Sequence, residues 1–525
     1  MMNIDAHECQ GDETHPAWVW WAVVVGVSMA LLGHGGWLAQ QFRWWAMDDA
    51  YISFRYARMA AQGHGLVYNP GEWVEGYSNL LWTVGMVPVE WMGWDVARVS
   101  IGLGLACLVG TWWVAVWGLD RLYGIRSPWA VAAAGVVLAS SGTVAGWAGS
   151  GMETGLHGLL LMVAWVRFAW EHHQEDRCQD GDGRQDDGRR RQPWSAVALV
   201  ALAMVRPEAL TIALAGVVVH LWVGFRRGDR GTALWGFVGI VAVGLAAFHL
   251  WRWASYGPAL FPNTVRAKVG MTWSQLERGM HYTLERFVMP YGVLLLASVG
   301  LVLQRSARLA TWAGVALFVG HVVFVIAVGG DWSPGRFFAP ILPIGVVLWV
   351  VACHRLVEKA RSVTLSERAV MVGMVIGYAT ILVMVTSLDW ERGFRTRYVA
   401  KDEARVAFGR WLNAHAPEQT RVALYAAGQI AYHSDRYAHD MLGLADAHIA
   451  EQTPEDFGKG VAGHEKFDVD YTLQTVRPAV IVDANFVPGL LDHPDMAAYR
   501  RLRWPHHHIM VRRDAAWAWA NRPGR

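Results

Sequence analysis

The chain has 525 residues, 54% of them hydrophobic and only 17% charged, with a formal net charge of +2. That balance excludes a soluble multidomain protein and gives no footprint for nucleic acid, while 31 tryptophans fit aromatic belts at a membrane surface.

A helix needs about 20 apolar residues to cross the hydrocarbon core. In chain order, such runs predict spans near 17–41, 98–118, 128–148, 154–170, 194–205, 209–225, 232–251, 288–303, 310–328, 338–353 and 369–388. The fold class is therefore mainly α, a polytopic membrane protein of about eleven transmembrane helices. The first segment follows a flank without Lys or Arg and precedes no small-residue cleavage site, so it reads as a retained signal anchor. Residues 77–93 contain Pro88, Glu90 and several Trp and suit a helix lying in the interface rather than a span. The run 194–205 is short, and it is kept as half of a hairpin because merging it with 209–225 would turn the later basic loops outward.

Orientation follows from Lys and Arg. With the N-terminus in the cytoplasm, the loops 119–127, 171–193, 226–231, 304–309 and 354–368 hold 16 basic residues in 59. The opposite loops 43–97, 149–153, 206–208, 252–287 and 329–337 hold 10 in 108. The segment 174–192 is low-complexity and cytoplasmic in this scheme. From Asp389 to Arg525 the pattern turns mixed, predicting a small extracytoplasmic α/β domain with a helix over 401–414 and strands at 421–426 and 478–483. Cys9, Cys107, Cys178 and Cys353 have neither disulfide nor metal spacing, and the run His506-His507-His508 sits in an expected strand whose alternation would splay its side chains.

Acids at membrane depth are costly, so they point to function. Five clusters fall at predicted outer helix ends: Asp48-Asp49, Glu153, Arg206-Pro-Glu208, Asn263 to Lys268, and Asp331 to Arg336. Each alone reads equally well as a solvated loop end, and Asp48-Asp49 also opens a helical stretch where negative charge favours the dipole. Their convergence on one face favours a site. Glycosyl transfer needs a carboxylate beside the anomeric carbon, as base or nucleophile. It also needs positive charge on a leaving phosphate, from Arg206, Arg266, Lys268, Arg336 or a divalent cation (Mg or Mn) held by Asp48 and Asp49. Tyr51, Trp82 and Trp332 are candidates to stack on sugar faces.

The stretch Asp48-Asp-Ala-Tyr-Ile-Ser-Phe-Arg-Tyr-Ala-Arg58, with Gly63 to Glu72 and Val74-Glu-Gly-Tyr-Ser-Asn-Leu-Leu-Trp82, resembles the first outer loop of GT-C glycosyltransferases. More narrowly, it resembles that of the terminal β-1,2-arabinofuranosyltransferases, which use decaprenylphosphoryl-arabinose. Gly151-Met-Glu-Thr, Arg206-Pro-Glu, Pro262-Asn-Thr, Gly330-Asp-Trp and Asp440-Met-Leu-Gly-Leu are similar to the same family, over most of 45–485. The resemblance implies Asp48 and Asp49 as catalytic residues. It implies a substrate site drawn from Tyr51, Arg55, His64, Glu75, Glu153, Arg206, Glu208, Asn263, Arg266, Lys268, Asp331 and Arg336. The implied donor is a polyprenyl-phosphate sugar, the acceptor a cell-envelope glycan, lipid or surface protein, and the location a bacterial inner membrane. A flippase of lipid-linked cargo and a non-enzymatic envelope assembly factor are the alternatives.

Overall fold

The computed structural model describes residues 16–41, 43–44, 46–179, 193–228, 231–303, 308–359, 377–387 and 396–521. Fifteen helices precede residue 360 among the described residues: α1 (Ala17–Gln41), α2 (Asp48–Ala61), α3 (Leu80–Trp91), α4 (Val96–Tyr123), α5 (Pro128–Ser140), α6 (Gly142–Ala148), α7 (Thr154–Gln179), α8 (Trp194–Ala203), α9 (Ala209–Arg226), α10 (Thr232–Tyr256), α11 (Asn263–Lys268), α12 (Trp273–Thr283), α13 (Met289–Val302), α14 (Leu309–Ala327) and α15 (Leu342–Lys359). Among the described residues, six stretches are long and apolar enough to cross a membrane: α1, α4, α9, Leu234–Tyr256 in α10, Trp273–Val302 and α14. The bent pair α5–α6 adds a seventh, and α8 and Leu342–Val357 are shorter apolar helices. The protein is thus a multi-pass membrane protein. The expected eleven spans are not all of spanning length, however, because some apolar runs fold as short or broken helices. Of the expected span 369–388 only 377–387 is described, and most of the segment 174–192 falls outside the described residues.

The break within 128–148 has a local cause. Ser141 leaves the helical region (ψ 103°), its side chain caps the Val144 N–H, and its hydroxyl meets the Tyr291 hydroxyl at 2.7 Å. Thr386 Oγ1 accepts the freed Gly142 N–H at 2.9 Å. Backbone groups that a bend releases at this depth must find such partners. Small residues set the close packing of α4, α6 and α7: a Cβ at Gly104 would overlap the Ala148 carbonyl, and one at Gly155 would overlap Gly104. α12 runs into α13 through a π-turn, Leu284–Val288, just before Pro290, whose missing N–H interrupts the regular ladder.

Residues 77–93 form the twelve-residue α3, too short to cross, packed against α2. Beyond α16 (Thr396–His415) the chain builds a five-stranded sheet from β1 (Arg421–Leu424), β2 (Tyr437–Asp440), β3 (Val480–Val482), β4 (Tyr499–Trp504) and β5 (His507–Arg512). The order is β2-β1-β3-β5-β4, parallel through β2-β1-β3 and antiparallel through β3-β5-β4. Val422, Leu424, Val480, Val482, Ile509 and Val511 bury one face against Phe408 and Leu412 of α16. Of the three histidines expected in a strand, His506 instead occupies the β4–β5 turn at φ 60°, following Pro505, while His507 and His508 lie in β5. The His507 Nδ1 is 3.0 Å from Asp483.

Candidate functional site

The acids gather where α2 meets the sheet domain. α2 begins at Asp48, directly after the turn that follows α1, so both carboxylates project from its first turn. They face different partners. Asp48 accepts the backbone N–H groups of Gly428 (3.1 Å) and Gln429 (2.9 Å), at the start of α17 (Gln429–Ser434). A Cβ on Gly428 would overlap the Asp48 carbonyl, so only glycine allows this approach. Desolvation pushes the Asp48 carboxyl above its ordinary pKa, against the opposing pull of Arg405 and the two amides.

Asp49 turns the other way. Its side chain is 23% exposed and accepts Arg336 Nη1 at 2.9 Å. Desolvation raises its pKa, but Arg336, Lys268 and His464 together outweigh that and hold the carboxyl below the usual range. Arg336 also reaches Asp331, Nη2 to Oδ1 at 2.9 Å, and lies over Trp147 and Phe337. Glu153, at the turn into α7, accepts Asn79 Nδ2 at 2.7 Å and pairs with Arg206 at 3.1 Å, whose Nε is 3.3 Å from Glu208. Asn79 Oδ1 in turn accepts the Ser53 and Thr83 hydroxyls, tying α2, α3 and α7 together. Both arginines are therefore already neutralised by carboxylates. Lys268, at the end of α11, has no hydrogen bond or ion pair among the described residues, yet lies in the field of Asp49 and Asp331. Burial, then the neighbouring Arg336, lower its pKa.

The chain is similar to known proteins in fold and in sequence. The solved structure of ArnT from Cupriavidus metallidurans bound to undecaprenyl phosphate superimposes with a TM-score of 0.57 at 13% identity, covering 94% of this chain and 98% of that one. The archaeal oligosaccharyltransferase AglB from Archaeoglobus fulgidus, in complex with an inhibitory peptide and a dolichol-phosphate, gives 0.54 at 8% identity over 89% of this chain and 69% of that one. The fold is that of the GT-C glycosyltransferases. In sequence, the chain is similar to the terminal beta-(1->2)-arabinofuranosyltransferase of Mycobacterium tuberculosis, 27% identical over 376 residues, 62% of this chain and 55% of the relative. Its namesake in Corynebacterium glutamicum is 28% identical over 346 residues, 58% and 48% of the two chains. The chain thus spans about half the length of the curated relatives it matches. Residues 394–520 match a family model described as Domain of unknown function (DUF8728).

Within this GT-C fold, several residues expected in the substrate site are engaged elsewhere. Tyr51 is buried among Phe54, Tyr432 and His433, and Trp82 is buried with its Nε1 on the Gly151 carbonyl, so neither offers a ring face. Arg55 is buried and spends its donors on Tyr68, Asn69, Ala431 and Arg436, fastening the first loop to the sheet domain. Glu75 forms a buried bidentate pair with Arg252 (2.8 and 2.6 Å). Asn263 donates to the carbonyls of Gly443 and Leu444, and Arg266 pairs outward with Glu451. His64 is exposed just past the far end of α2, the full helix away from the acids. The structure brings together Asp48, Asp49, Glu153, Arg206, Glu208, Lys268, Asp331 and Arg336.

A divalent cation does not fit the two aspartates. Asp48 gives both oxygens to backbone amides, and Asp49 gives one to a guanidinium, which repels a metal ion. Among the described residues no group of three or more His, Cys, Asp or Glu could hold an ion.

His464 was not legible in the sequence. It stands in the loop after α18 (Ala447–Ala450), its ring against Tyr425 and Trp332, in the field of Asp49 and Lys268. No motif marks it; only the fold brings it to the acids.

Proposed function

We propose that the protein is a glycosyltransferase that moves a sugar from a polyprenyl-phosphate donor to a cell-envelope acceptor on the outer face of a bacterial inner membrane. The carrying observation is that Asp49, ionised, partly exposed and held by Arg336, lies in the field of Lys268, a cation with no ion pair of its own among the described residues. Asp49 serves as the catalytic carboxylate, taking the acceptor hydroxyl proton or attacking the anomeric carbon. Lys268 receives the leaving phosphate. Arg336 and Asp331 fix the Asp49 carboxylate, and Arg206, Glu153 and Glu208 brace the opposite wall. Asp48 positions this centre by holding the sheet domain against α2.

The sugar is a pentofuranose such as arabinofuranose, and the acceptor an envelope glycan. The names of the sequence relatives support the assignment of the sugar. A prenyl chain lies in hydrocarbon with its phosphate at the headgroup level, the depth at which loops following membrane helices emerge. Residues 1–388 act as the transmembrane catalytic domain and 389–525 as an extracytoplasmic domain, with the N-terminus in the cytoplasm. The excess of Lys and Arg in the opposite loops supports that orientation.

The test is sugar transfer by the purified protein in detergent. It is supplied with polyprenyl-phosphoryl arabinofuranose or with the matching nucleotide sugar. Transfer from the prenyl donor, lost in Asp49→Asn, is expected. Transfer from the nucleotide sugar alone would overturn both donor and orientation.

A further inference from the structure

Five rings form a continuous ribbon that leads away from the acids. Tyr398 of α16 meets Trp332 at 5.9 Å, Trp332 meets His464 at 6.1 Å, His464 meets Tyr425 at 5.5 Å, and Tyr425 meets Phe486 at 5.2 Å. The first four are half-buried, and Phe486 is 46% exposed. Lys401, one turn along α16 from Tyr398, places its ammonium 5.6 Å from the Phe486 ring.

The ribbon's position in the sheet domain is informative. Tyr425 directly follows β1, and Phe486 lies in the short turn after β3. β1 and β3 are adjacent and parallel, and β2 pairs with the opposite edge of β1. The order therefore reverses between β1 and β3, and the crevice beyond their carboxyl ends is where open α/β sheets take ligands. From Tyr425, at this crevice, the ribbon runs through His464 to Trp332, which follows Asp331 in the chain.

His464 links crevice and acids. Its Nδ1 lies 3.0 Å from the Ala462 carbonyl, which can only accept, so Nδ1 carries the proton and Nε2 presents a lone pair. Burial keeps the ring neutral at pH 7, lowering its pKa despite the pull of the Ala462 carbonyl and Asp49. The Lys268 stem packs beside Gly463, where an added Cβ would crowd it.

A glycan matches this surface chemically. The C–H-rich face of a sugar ring packs on aromatic faces, and its hydroxyl rim seeks a few fixed polar groups. Apolar peptides would leave Nε2 of His464 and the Lys401 ammonium without partners. We infer that the acceptor oligosaccharide binds along Tyr398, Trp332, His464, Tyr425 and Phe486, with its reactive end at His464 beside Asp49. This inference rests on the transferase reading for its direction of entry, but the binding surface can be tested apart from turnover.

Isothermal titration of full-length Asp49→Asn protein in detergent with an arabinofuranosyl hexasaccharide is the measurement. Binding is expected, and adding Phe486→Ala should weaken it about tenfold, a loss of one stacked ring. Phe486→Trp should restore it, which separates stacking from misfolding at an exposed position. In the transfer assay the KM for the hexasaccharide should rise in step in Phe486→Ala, with a monosaccharide acceptor unaffected. Failure of the Asp49→Asn protein to bind the hexasaccharide, or equal affinity with Phe486→Ala, overturns the inference. Binding that depends on Phe486, with no transfer from any prenyl donor, leaves the ribbon in place and removes the transferase reading instead.

Discussion

Asp48 and Asp49 are neighbours in sequence with opposite assignments, so their Asn variants should fail differently. Asp48→Asn keeps one carbonyl oxygen for the Gly428 or Gln429 amide but turns an NH₂ toward the other. A hydrogen bond to a charged acceptor contributes about 1.5–3 kcal/mol, and an orphaned donor adds a cost of its own. The start of α17 should therefore open more easily by about 2 kcal/mol, which speeds amide exchange there by roughly 30-fold. Hydrogen–deuterium exchange of the purified protein, read on peptides covering 426–436, measures this. Asp49→Asn leaves those amides untouched, since its partner is Arg336. It should instead lower transfer by roughly 10²–10⁴-fold, the usual share of a general base. Unchanged protection in Asp48→Asn would refute the bracing role, and near-normal turnover by Asp49→Asn would refute the catalytic one.

Lys268→Met should raise the donor KM by roughly tenfold or more, and Lys268→Arg should recover part of it, because the charge and not the stem meets phosphate; identical donor kinetics would contradict the assignment. Arg252→Leu should destabilise the protein by about 3–5 kcal/mol by stranding the Glu75 charge, and Glu75→Leu in the same chain should recover most of that, as read from the melting temperature. Asp402, buried and 2.9 Å from Arg405, has its carboxyl pushed up to about 7, by desolvation above all. Its folded pKa exceeds the unfolded value of about 3.9, so it contributes stability below about pH 4 that is lost as pH rises through 7. The wild-type melting temperature should fall more between pH 5 and 8 than that of Asp402→Asn, and matching profiles would remove Asp402 as the cause.

The sequence made the apolar helices readable because a run of apolar residues is a local signal, sufficient for α1, α4, α9 and α14. It could not show the bend at Ser141, since 128–148 is apolar throughout and the bend depends on Tyr291 and Thr386, far along the chain. At the candidate site, Asp49, Glu153, Arg206, Asp331 and Arg336 were legible as charged residues at helix ends. Tyr51, Arg55, Glu75 and Asn263, expected at the substrate, are held in the structure by other parts of the chain. Motif stretches hold residues that fasten the first loop as well as those that face a substrate, and only partners distinguish them. Gly428, Gln429 and His464 carry no pattern, because their roles are set by what docks on them.

The bond between Asp48 and the start of α17 also orders events in time. Its partners are separated by 380 and 381 positions in the chain. At a synthesis rate of about 5–20 residues per second, the first loop waits roughly 20–80 s before the amides it needs have been made. Through that interval Arg55 also lacks Ala431 and Arg436, and Arg58 lacks Tyr432. Any ribosome stalled before residue 428 leaves a membrane-embedded helical bundle with an unfinished, charged loop, a recognisable substrate for proteolytic quality control. The Asp48 side of the acidic cluster therefore becomes native only once Gly428 and Gln429 have been translated, long after the helix that carries it has been made.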